Sequence, residues 1–119
     1  MKILVVDDSA FSQKITIKTL KSIYPDAVYE TADDGVECIE KYESFLPNLV
    51  FLDLLMPNMT GQEAIVKLLE KFPEAKVIVL SADVQATVRE EVLAAGALKF
   101  INKPINVDKL GEIQSLIER

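Results

Sequence analysis

Five short apolar runs at near-regular spacing constrain this chain more than any other feature. They are Ile3 to Val6, Ala27 to Tyr29, Leu49 to Leu52, Val77 to Leu80 and Leu98 to Ile101. Successive starts lie 24, 22, 28 and 21 residues apart. Each interval has room for one strand, one helix and two short loops. The first, third and fourth runs are apolar at every position, as strands buried on both faces are. A parallel sheet between two helix layers requires such strands. The second run is weaker and predicts a more exposed strand.

The stretches between the runs carry apolar residues at steps of three or four, the helical period. Phe11, Ile15, Ile17, Leu20 and Ile23 predict the buried face of a first helix, and Val36, Ile39 and Tyr42 that of a second. Ala64, Ile65, Leu68, Leu69 and Phe72 make a third. Val84, Val88, Val92 and Ala95 make a fourth, and Val107, Leu110, Ile113 and Ile117 a fifth. Pro25, Pro47 and Pro73 fall near helix ends, where a missing backbone donor does least harm. Gly96 falls where the fourth helix needs a C-terminal cap.

Five β-α units in 119 residues predict one domain, residues 1–119. Its class is α/β: a doubly wound, five-stranded parallel sheet with five helices. A closed eight-stranded β/α barrel would need about 250 residues. Open sheets of this kind bind ligands at the carboxyl ends of their strands, where the strand order reverses.

Composition removes several functional classes. The net charge is −6, so direct binding of nucleic acid or of anionic membrane surfaces is not expected. The chain has no histidine, which excludes His-ligated zinc and His-based triads. Cys38 is the only cysteine, which excludes an internal disulfide and a thiolate metal cluster. Its helical context predicts a small core hydrophobe rather than a redox site. The first apolar run is too short for a secretory signal, and no run approaches the ~18 residues of a membrane span. A cytoplasmic location is therefore expected.

Chemistry-bearing residues sit at the strand ends. The first run ends in Asp7 and Asp8, the third in Asp53 and the fourth in Ser81, and the fifth is followed by Lys103 and Pro104. Taken singly, each has a plainer reading. Asp7, Asp8 and Ser9 could cap the first helix and Ser81 the fourth, Asp53 could be a solvated loop residue, and Lys103 a solvated charge. In a parallel sheet, however, all converge on the ligand-binding edge. Carboxylates crowded together favour a hard, oxygen-seeking cation, which points to Mg²⁺. A lysine adds positive charge for an incoming anion, and a serine adds a hydroxyl donor. Such a set suits a phosphoryl group, with one aspartate as its covalent acceptor.

The stretches LVVDDSAF, LVFLDLLMPNMTG, VIVLSA and KFINKP together resemble the receiver domain of two-component response regulators, over essentially the whole chain. The length resembles the stand-alone chemotaxis (CheY-like) type. The resemblance implies a flavodoxin-like (βα)5 fold with strand order 2-1-3-4-5. It implies that Asp53 is the phosphoacceptor, that Asp8 binds Mg²⁺ directly, and that Asp7 helps hold the metal. Asp53 itself and the backbone carbonyl of Leu55 would complete the metal contacts. Ser81 would bind the attached phosphoryl group, Lys103 would be the family lysine, and the Lys103–Pro104 bond would be cis. Phe100 would be the switch aromatic, turning inward as Ser81 moves toward the phosphoryl group. The resemblance also implies that Leu55 and Asp83 fall at variable positions that in this family tune the lifetime of the phosphorylated state.

The implied function is a phosphorylation-dependent signalling switch that takes its phosphoryl group from a sensor histidine kinase or a phosphotransfer protein. It would then regulate a downstream partner such as a flagellar motor component, through the face built from the fourth helix, fifth strand and fifth helix. Mg²⁺-dependent self-phosphorylation and slow autodephosphorylation are expected, without an activity on external substrates. A phosphorylation-independent interaction module on the same scaffold and a phosphorelay intermediate remain the alternatives. Pro57 and Gly61 are expected to shape the loop before the third helix, Met56 and Met59 to pack it, and Asp33 and Asp34 to form a turn and a cap.

Overall fold

The computed structural model describes residues 1–54, 59–82, 85–103 and 105–117. Strands and helices alternate along the chain: β1 (Lys2–Val6), α1 (Ala10–Lys21), β2 (Val28–Ala32), α2 (Gly35–Phe45) and β3 (Leu49–Asp53). Then follow α3 (Gly61–Lys71), β4 (Val77–Ser81), α4 (Ala86–Ala94), β5 (Lys99–Asn102) and α5 (Val107–Ile117). All strand pairs are parallel and the order is β2-β1-β3-β4-β5. The α/β class, the five β-α units and the strand order 2-1-3-4-5 all stand as expected.

The fully apolar strands are buried because each of their faces has its own core. Leu4, Val6, Val50, Leu52, Val77 and Val79 point to one side, under Cys38, Ile65, Leu68 and Val92 of α2, α3 and α4. Ile3, Val5, Leu49, Phe51, Ile78 and Leu80 point to the other, under Leu20 of α1 and Leu110 and Ile113 of α5. Side chains alternate across a strand, so one apolar run feeds both cores. Burying each large side chain is worth about 1.5–3 kcal/mol. The edge strand β2 is partly exposed along most of its length, as its weaker run predicts.

Local chemistry fixes the helix ends. The side chains of Ser9, Asp34 and Thr60 accept from the backbone N–H three residues on, capping α1, α2 and α3. Ser81 is the last residue of β4, and α4 has Gln85 at its N-cap position without a side-chain cap bond. Gly96 takes φ +115° just past α4, and its N–H donates to the Leu93 carbonyl at 3.1 Å. An L side chain is strained at that φ, which accounts for the glycine. Leu46 ends α2 in the left-handed region at φ 51°, and Pro47 follows.

The buried face of α1 differs from the expected one. Phe11 is 74% exposed and Ile15 is exposed too, while Gln13, Thr16 and Leu20 are buried. Ile17 and Ile23 pack only at the margin of the core. The apolar steps run beside the face that meets the sheet, and a buried glutamine satisfied by several acceptors takes the place expected for an aliphatic residue. Val36 and Val107 are likewise exposed rather than core. In α3 the expected face is the observed one, with Ala64, Ile65 and Leu68 buried and Leu69 and Phe72 packed against them.

Candidate functional site

The sheet register assembles the site. Val6 pairs with Leu52, so the next residues, Asp7 and Asp53, stand side by side where the sheet turns from β1 to β3. This is the point at which the strand order reverses. Asp53 pairs with Leu80, which places Ser81 one residue further along the same edge. The Lys103 N–H donates to the Ser81 carbonyl at 2.9 Å, extending the β4–β5 ladder and bringing the lysine to that edge. The carboxylates of Asp7, Asp8 and Asp53 offer oxygens that all lie within 4.8 Å of one another. Asp7 and Asp53 are buried and Asp8 is exposed, so the cluster opens to solvent on the Asp8 side.

Lys103 is the counter-charge. Its ammonium donates to Asp7 Oδ2 at 2.8 Å, to Ser12 Oγ at 3.0 Å and to Asp53 Oδ2 at 3.3 Å. Burial alone would raise the Asp7 pKa. Hydrogen bonds from Lys103, Ser12 and the Ser9 N–H, with the lysine's charge, outweigh it and hold the pKa below the ordinary carboxylate value. The same contacts act on Lys103. Burial pushes its pKa down, but Asp7 and Asp53 overcome that and raise it. Both partners are thus held in their charged forms.

Two site residues carry no signal in the sequence pattern. Ser12 reads as an ordinary first-turn residue, yet its hydroxyl meets both Lys103 and Asp7. Gln13 reads as a surface glutamine, yet it is buried. Its side-chain amide donates to the Asp7 carbonyl at 2.6 Å, to Asp33 Oδ1 at 3.0 Å and to the Ala32 carbonyl at 3.3 Å. It ties the loop after β1 to the loop after β2. Only the depth of α1 against the sheet edge distinguishes these positions, and that depth is a tertiary property.

The remaining expected residues fall as follows. Ser81 is fully buried at the end of β4. Phe100 is 6% exposed, with its ring in the core beneath α4 and the Arg89 guanidinium 6.0 Å from the ring centroid. The ring is therefore turned inward. Asp34 caps α2, and Asp33 instead meets Gln13. Met59 packs in the core against Gly35. Leu55, Met56, Pro57, Asp83, Val84 and Pro104 lie outside the described residues, so the expected Leu55 carbonyl contact and cis Lys103–Pro104 bond do too. Among the described residues no helix is long and apolar enough to cross a membrane.

An oxygen-only donor set, crowded and partly buried, fits a small hard dication such as Mg²⁺. Receiver domains generally bind Mg²⁺ at an acidic pocket of this kind.

Comparison with known proteins agrees with the geometry. The chemotaxis protein CheY of Listeria monocytogenes is 36% identical over 115 residues, which span 94% of this chain and 93% of that protein. CheY of Thermotoga maritima is 36% identical over 121 residues, spanning 99% and 98%. The crystal structure of the CheX–CheY–BeF3–Mg²⁺ complex from Borrelia burgdorferi contains a chain of the same fold. It superposes with a TM-score of 0.83 at 32% identity, over 98% of this chain and 88% of that one. The response regulator receiver domain family matches residues 3–114. With this family match and these relatives, the chain belongs to the response regulator receiver domain family.

Proposed function

We propose that this chain is a phosphorylation-dependent switch of a two-component system, with Asp53 as the phosphoacceptor. The observation that carries this is the Lys103 ammonium, held between the buried carboxylates of Asp7 and Asp53. Asp53 Oδ would attack the phosphorus of a phosphohistidine on a sensor kinase or phosphotransfer protein. The new P–O bond forms as the P–N bond breaks, and the released imidazole nitrogen takes a proton from water. The donor must be external because the chain has no histidine.

Asp7, Asp8 and Asp53 would hold Mg²⁺, with the Leu55 carbonyl as the further family contact. When bound, Mg²⁺ neutralises charge on the phosphoryl oxygens. Lys103 supplies a second positive charge beside Asp53, and Ser81 supplies a hydroxyl at the same sheet edge. Phe11 and Ile15 leave an apolar strip on α1, next to Lys103 and Ile105, around a groove of about 340 Å³. That strip suits docking of an apolar face of the phosphodonor beside Asp53.

Output is assigned to the face of α4, β5 and α5. A groove of about 210 Å³ there is lined by Arg89, Lys99, Phe100 and Lys109, among others. Phosphorylation would hold the Phe100 ring inward, with Ser81 drawn to the phosphoryl group. A ligand that favours one of two states shifts their populations in this way. The similarity to CheY proteins favours chemotaxis as the pathway, the cytoplasm as the location and a motor component as the target.

The test is incubation with Mg²⁺ and a small phosphodonor such as acetyl phosphate, followed by intact-mass measurement. One acid-stable phosphoryl group per chain is expected, and none in Asp53→Asn. Incorporation that persists in Asp53→Asn would reject Asp53 as the acceptor.

A further inference from the structure

We infer that Ser12 is a positioning residue for Lys103: its hydroxyl holds the ammonium on the Asp7 side of the pocket. The inference rests on the reading of Asp53 as phosphoacceptor and adds a residue to that site.

Lys103 Nζ lies 3.0 Å from Ser12 Oγ and 2.8 Å from Asp7 Oδ2, but 3.3 Å from Asp53 Oδ2. The lysine thus makes its two shorter contacts away from the acceptor carboxylate. A hydroxyl accepts from an ammonium, so the Lys103 Nζ bridges Ser12 Oγ and Asp7 Oδ2. Its place is fixed by the cap of α1, because the Ser12 N–H donates to Ser9 Oγ at 3.2 Å. On the Ser12 side that bond uses only the backbone N–H, so it survives replacement of the Ser12 side chain.

A phosphoryl group on Asp53 needs the ammonium on its own side. Every contact that holds Lys103 toward Asp7 therefore opposes the loaded state, and Ser12 supplies the uncharged one. Removing the hydroxyl should let the ammonium settle nearer Asp53.

The experiment compares wild type, Ser12→Ala and Ser12→Thr. The first readout is the NMR signals of the Lys103 ε-methylene and ammonium in metal-free protein. The second is the affinity for beryllofluoride in the presence of Mg²⁺. Ser12→Ala is expected to shift the Lys103 signals and tighten beryllofluoride binding by about fivefold, the net worth of one hydrogen bond. Ser12→Thr keeps the hydroxyl and is expected to restore wild-type values in both. Unchanged Lys103 signals in Ser12→Ala would overturn the inference. So would weaker beryllofluoride binding, which would place the hydroxyl's support in the loaded state. If wild type binds no beryllofluoride, the phosphoacceptor reading fails by itself, and the metal-free Lys103 signals alone decide whether Ser12 holds the lysine.

Discussion

Lys103 and Asp7 are 96 positions apart in the chain, yet their charged atoms meet at 2.8 Å at the edge of the sheet. The Asp7 side chain is 4% exposed and that of Lys103 22%. Removing the lysine would leave Asp7 and Asp53 facing each other without its charge. Breaking a buried pair from one side costs about 3–5 kcal/mol. Partial exposure of Lys103 allows solvent to screen part of that. Lys103→Met is therefore expected to lower stability in Mg²⁺-free buffer by about 2 kcal/mol. Urea unfolding with and without Mg²⁺ checks this, since the added dication should return part of the loss. Equal stability of variant and wild type without Mg²⁺ would mean that solvent already neutralises the pocket.

Asp8 is the exposed member of the carboxylate cluster, and its loss should disturb the fold least. A ligand that binds only the native state stabilises it by RT ln(1 + [L]/Kd), about 1.4 kcal/mol at ten times Kd. Wild type should gain this from Mg²⁺, and Asp8→Asn should lose most of the gain. Thermal unfolding across a Mg²⁺ titration measures it. A full Mg²⁺ response in Asp8→Asn would place the cation away from this residue.

What the sequence makes legible here follows from which physical signal each residue carries. The apolar runs announce β1, β3 and β4 because strands buried on both faces cannot be polar. Their order then brings Asp7, Asp53, Ser81 and Lys103 to one edge without further information. In α1 the same logic is right for Leu20, with Ile17 and Ile23 at the core's margin, and wrong for the first turns. Phe11 and Ile15 are apolar and exposed, while Gln13 is polar and buried because Asp7, Ala32 and Asp33 offer its amide acceptors. Periodicity reports average burial and is blind to a buried amide whose partners come from two other loops. Ser12 is hidden for the same reason: nothing in its neighbours announces that α1 lies one hydroxyl's length from Lys103.

Gly61 and Gly111 should respond in opposite ways to alanine. A Cβ on Gly61 would lie 2.6 Å from Leu54 Cα and 2.8 Å from the Asp53 carbonyl oxygen. The obstacle is backbone, which yields only by moving the end of β3 that carries Asp53. Overpacking of this kind costs about 1–3 kcal/mol. Gly61→Ala should also slow phosphoryl uptake, because the acceptor moves. A Cβ on Gly111 meets nothing within 4 Å, and the residue lies inside α5. Gly111→Ala should stabilise by about 0.5–1 kcal/mol through helix propensity. Chemical unfolding of both variants checks the pair, and a stabilised Gly61→Ala would contradict the packing argument.

Cys38 should be chemically silent in the folded protein. It is fully buried in α2, and burial, with a smaller contribution from the Asp34 carboxylate, pushes its thiol from 9.0 up to about 12. The thiolate is the reactive form, so iodoacetamide at pH 8 should label the urea-unfolded chain and spare the native one. The sign of the pH dependence follows from the same shift. Below pH 9 both states keep the proton and the thiol leaves stability unchanged. Between 9 and about 12 the unfolded chain ionises while the fold holds the thiol neutral, so stability falls as pH rises. The slope approaches about 1.4 kcal/mol per pH unit in that window. Tyr29 and Tyr42 also have raised pKa values, each chiefly through burial, and contribute in the same direction. The comparison that isolates the cysteine is therefore wild type against Cys38→Ala, whose stability should decline less steeply above pH 9. Parallel declines would mean that the thiol ionises in place, through water reaching α2, and native labelling at pH 8 would then be seen as well.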